Sequence, residues 1–61
     1  MQMNRRDLKK LDTRIKTIRK TAQELKDSSS RFPAIERNAV RILASTKMLE
    51  INISDLLELN S

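Results

Sequence analysis

The sequence predicts an all-α protein, an antiparallel two-helix hairpin that dimerises into a four-helix bundle, and three observations carry the prediction. Apolar residues recur at alternating steps of three and four along two stretches, the period of a helix with one apolar stripe. A polar run closed by the single proline divides those stretches. The chain has 61 residues, no glycine and no cysteine, too little to build a broad core or staple a thin one.

The first stretch carries Leu8, Leu11, Ile15, Ile18, Ala22 and Leu25 in an unbroken heptad seam of the coiled-coil kind. Asn4 is a suitable N-cap, and Asp7 places negative charge in the first turn, where it opposes the helix dipole. This predicts a helix from about Arg5 to Lys26, ~33 Å long at 1.5 Å per residue. Asp27-Ser28-Ser29-Ser30 ends it, because short polar side chains compete for backbone hydrogen bonds and favour turns. The serine run is read as turn chemistry rather than as a phosphorylation target. Phe32, the only aromatic, is expected to fold over the end of the bundle as an apolar plug.

Pro33 suits the first turn of a second helix, where its missing N–H costs nothing. That helix is expected from about Pro33 to Leu59, with the connection at 27–32. Its seam is Ile35, Ala39, Ile42, Thr46, Leu49, Ile53 and Leu56. Thr46 alone breaks the apolar pattern, and its hydroxyl is expected to bond a carbonyl of its own helix. Folding one seam onto the other sets Leu8 against Leu56, Leu11 against Ile53 and Ile15 against Leu49. It also sets Ile18 against Thr46, Ala22 against Ile42 and Leu25 against Ala39, leaving Ile35 to Phe32. A register shifted by one heptad is the alternative. In the first of these registers large faces small at the loop end, and the hairpin brings the basic start of the first helix beside Asp55 and Glu58.

Composition excludes whole classes of chemistry. Without His or Cys there is no imidazole or thiolate metal site, no disulfide, and neither the usual general base nor the strongest nucleophile. Without Gly there is no loop that lets backbone approach a phosphate. A carboxylate pair needs a desolvated cleft that two helices cannot form. The expectation is a non-enzymatic protein with no cofactor and no metal. No apolar run approaches the ~18 residues of a membrane span, and Arg5-Arg6 lacks the apolar segment of an export signal, so a cytoplasmic location is expected. Met3 is a second candidate start.

The second helix carries a further apolar surface. Val40, Leu43, Ala44, Met48 and Ile51 fall roughly opposite its seam at 100° per residue. A helix apolar on both sides is a buried helix, so these five residues are expected to mediate association. The simplest completion is a homodimer with the second helix central. This architecture resembles the small dimeric helical hairpins that regulate plasmid copy number by binding RNA; the resemblance is one of architecture, and no residue role is carried over from it.

Charge is unevenly placed. The net charge is +5; residues 1–27 hold nine Lys/Arg against four Asp/Glu, and residues 31–61 hold four of each. Arg6, Lys9, Lys10, Lys16 and Lys20 occupy the solvent face of the first helix, spaced by Thr13 and Thr17, with no acid on that face before Glu24. They span ~21 Å, enough to follow a phosphate backbone. The chain has no motif or aromatic platform for reading bases, and its apolar stripe is too narrow for a membrane-surface helix. The sequence therefore points to an interaction and oligomerisation module, a small accessory or regulatory subunit. Its expected partners are a second copy of itself and a larger protein. The alternative is a nucleic-acid-binding regulator that uses the five outer cations as phosphate contacts.

Overall fold

The computed structural model describes residues 4–59, and the second candidate start, Met3, lies outside that range. The fold is all-helical: α1 spans Arg5–Ser28 and α2 spans Pro33–Leu59, packed along each other as a hairpin. It is a thin rod, 45 × 17 × 14 Å. Its radius of gyration is 14.1 Å, against ~10.5 Å for a compact chain of this length.

The ends of the helices follow from their residues. The Asn4 side chain accepts a hydrogen bond from the Asp7 N–H at 2.9 Å, satisfying one of the donors that the first turn leaves without a partner. At the other end of α1 the Ser28 hydroxyl donates to the Glu24 carbonyl at 2.7 Å. Ser29 turns both its N–H and its hydroxyl onto the Lys26 carbonyl, at 3.2 and 3.1 Å. The Phe32 N–H then donates to the Ser29 carbonyl at 2.9 Å and closes the turn. Helix ends commonly need a left-handed residue, usually glycine, to catch their last carbonyls. Here serine hydroxyls do that work, and no described residue has a positive φ. This is how a glycine-free chain reverses within four residues.

Inside the hairpin the buried residues fall at intervals of seven. Leu8, Ile15 and Ala22 come from α1, and Ala39, Thr46 and Ile53 from α2. Leu8, Ile15 and Ile53 form one cluster, with Leu11 and Leu57 packed partly buried against it. Thr46 is 2% exposed, and its hydroxyl donates to the Leu43 carbonyl at 2.8 Å, so a polar group sits in the core without an unmet hydrogen bond.

The structure corrects the expected packing of the two seams. Only half of each seam enters the hairpin. Ile18, Leu25, Ile35, Ile42, Leu49 and Leu56 all remain between 41% and 46% exposed. Leu56 and Leu49, the expected partners of Leu8 and Ile15, stay at the hairpin's edge, and the buried cluster is Leu8, Ile15 and Ile53 with Leu11 and Leu57 against it. Small residues explain the shift. Ala22, Ala39 and Thr46 lie in the buried columns and suit a close approach of the helices directly over themselves, which leaves the flanking seam residues at the edge of the contact. Phe32 is corrected too: at 57% exposure it does not plug the end of the hairpin.

Candidate association face

Each helix presents three adjacent columns, because residues seven apart lie nearly above one another. On α1 the buried column Leu8–Ile15–Ala22 is flanked on one side by Asp12, Arg19 and Lys26 and on the other by Leu11, Ile18 and Leu25. On α2 the column Ala39–Thr46–Ile53 lies between Glu36, Leu43, Glu50 and Leu57 on one side and Ile35, Ile42, Leu49 and Leu56 on the other. The first flank of α2 is partly buried throughout.

Two contacts fix how these flanks meet. Arg19 Nη1 lies 3.0 Å from both carboxylate oxygens of Glu50, a cross-helix ion pair that joins the polar flank of α1 to that of α2. In the expected register Arg19 stands opposite Ser45, so the pair lies within one heptad of it. On the other side, Ile18, Ala22 and Leu25 of α1 and Ile42 of α2 line a shallow groove of about 310 Å³, with Thr17 and Thr21 at its rim. The hairpin thus has two unlike sides, one closed by charge and one open and apolar. The open side runs on along α2 through Ile35, Leu49 and Leu56, in step with Ile42.

The rod as a whole exposes more surface than a compact chain of its mass. The chain exposes 5189 Å², whereas a compact monomer of this mass exposes about 4,100 Å². The excess is of the same size as the ~800 Å² that each partner gives up in a standard protein interface.

The residues assigned to association from the sequence are placed elsewhere on α2. Val40, Ala44, Met48 and Ile51 are exposed, while Leu43 is partly buried in the flank it shares with Glu50 and Leu57. Sequence reasoning missed the groove because it placed Ile18, Leu25 and Ile42 inside the hairpin. The signal was available in Ala22, Ala39 and Thr46, whose small size favours a contact centred on their own column.

The outer cations are all at the surface. Arg6, Lys9 and Lys10 join Arg5 and Thr13 around a shallow concavity of about 440 Å³. Lys16 and Lys20 line a second, further along α1, with Arg19, Gln23 and Glu24. Lys16 is not free of acid, as the sequence suggested: its Nζ lies 2.9 Å from Asp12 Oδ2, one helical turn back. Among the described residues no group of three or more Asp or Glu is placed to hold a metal ion, and no helix is long and apolar enough to cross a membrane. Comparison with protein-family models, curated proteins and solved structures finds no match to this chain.

Proposed function

We propose that this protein is a non-enzymatic helical-hairpin association module whose open apolar side is covered by a second copy of the chain, giving a four-helix bundle. The observation that carries the reading is the uniform exposure of six large aliphatic side chains, Ile18, Leu25, Ile35, Ile42, Leu49 and Leu56, in the two columns beside the hairpin's own core. A lone hairpin leaves this surface in water, and contiguous apolar surface of this kind marks association sites in soluble proteins. A second copy is the occupant favoured by continuity. The columns next to those that pack α1 on α2, running in step with them every seven residues, supply the new contact, and a twofold dimer requires a surface that complements itself. In a four-helix bundle each helix has two neighbours, and the two halves of each seam then serve one neighbour apiece.

The module acts by placing surfaces rather than by chemistry, as a small accessory or regulatory subunit. Sedimentation equilibrium across a wide concentration range tests it. A well-defined dimer is expected. A folded monomer at every concentration overturns the reading, and a poorly folded monomer assigns the open side to a larger protein partner instead.

A further inference from the structure

We propose that the outer face of α1 is a docking surface for double-stranded nucleic acid, held through its phosphates. The inference rests on which cations the fold leaves available. Lys16 is drawn to Asp12 at 2.9 Å, and Arg19 to Glu50 at 3.0 Å. Among the described residues, Arg5, Arg6, Lys9 and Lys10 make no ion pair, and together they surround one concavity at the start of α1. Four cations within two helical turns, with no acid lining the concavity, form a concentrated positive site on a rigid element. Such a site attracts polyanions from a distance and holds their phosphates on contact.

The character of the face selects the partner. The residue lining the concavity beside the cations is Thr13, whose hydroxyl donates to the Lys9 carbonyl at 3.0 Å. None of the five residues lining the concavity carries a large apolar side chain for insertion into lipid, which argues against a membrane surface. There is no aromatic residue in α1 on which an unpaired base would stack, which argues against single strands. What remains is recognition of a regular, closely spaced phosphate array by charge alone, as a duplex offers. Binding of this kind depends steeply on salt and little on sequence.

The surface is separate from the association face: no residue lining the basic concavity lines the apolar groove. The two proposals therefore fail independently. Fluorescence anisotropy with short labelled DNA and RNA duplexes of unrelated sequence provides the test. With about four phosphates neutralised, a threefold rise in salt is expected to weaken binding roughly 50-fold. The Lys9→Gln, Lys10→Gln double variant should lower the salt slope by about two and leave helicity and sedimentation unchanged. Absence of duplex binding at low salt, or equal binding by the double variant, overturns the proposal. So does binding to vesicles rich in anionic phospholipid without binding to duplex, which would assign the face to lipid headgroups.

Discussion

Replacing Ile42 by Ala tests the association face most directly, because Ile42 lines the groove and is contributed by the helix opposite the other groove residues. Its side chain is 41% exposed in the hairpin. Covering an aliphatic side chain fully gains ~1.5–3 kcal/mol, so the part left for a partner is worth ~0.6–1.2 kcal/mol per copy. A symmetric dimer loses this twice, ~1.2–2.4 kcal/mol, which is roughly an 8- to 60-fold rise in the dissociation constant. Sedimentation equilibrium on the wild-type and variant chains measures that rise. Thermal unfolding at several concentrations checks it independently, since the melting point of a dimer depends on concentration and that of a monomer does not. Val40→Ala is the control. Val40 is equally half-exposed but lies among the residues opposite the seam of α2. An Ile42→Ala chain that associates as tightly as the wild type refutes the groove as the interface. Weakening by Val40→Ala alone moves the interface to the Val40, Met48 and Ile51 side.

Other outcomes follow from single contacts. Asn4→Ala should cost about 1 kcal/mol of stability, read as a lower melting point, because the Asp7 N–H loses its acceptor. Thr46→Val should be neutral or stabilising by up to about 1 kcal/mol, since the hydroxyl bonds only its own helix; a changed oligomeric state would instead give Thr46 a part in fixing register. Ala39→Leu should cost about 1–3 kcal/mol, because Ala39 is fully buried where the helices meet and a larger side chain must push them apart. Removing both Arg19 and Glu50 should change stability by less than about 1 kcal/mol in a double-mutant cycle, as expected of a pair this exposed to solvent.

The helices were legible, and their ends to within two residues, because local rules govern them; α1 runs on through Asp27 and Ser28, past the expected end at Lys26. Asn4 as cap, the serine run as stop and Pro33 as restart each act within one turn of themselves, so neighbouring residues suffice to read them. The hairpin was legible too, since two heptad seams joined by a short connection have few other ways to meet. The face each seam residue serves was not legible. A three–four spacing marks which residues leave water, but it reads the same whether both columns face one helix or each faces a different one. Ile42 and Ala39 carry the same signal in sequence; only the packing separates them, with Ala39 buried and Ile42 at the edge. The Arg19–Glu50 pair was hidden for a related reason. Its members stand 31 residues apart and become neighbours only once the rotation of α2 about its axis is fixed. Asp12 with Lys16 was the reverse case, a four-residue spacing that local rules do predict and that a survey confined to the cationic face passes over.

The division of the surface is the feature with the widest consequence. A seam of six half-exposed aliphatic residues and a ring of four cations share one small rod, yet they face different directions and draw on different residues. If both lay on one side, covering the apolar columns would bury the charges, and the desolvation of several cations would oppose association. Their separation removes that conflict. The polar flank adds to it, because Arg19 and Glu50 satisfy each other across the hairpin and leave that side little reason to bind further helices. That leaves the groove side, and the Val40, Met48 and Ile51 side of α2, as the apolar surfaces open to a partner. A second copy placed on the groove side would double the number of basic faces, since none of the residues lining the basic concavity lines the groove. A duplex long enough to reach both would then gain from two linked contacts at once, and each contact would raise the effective concentration of the other.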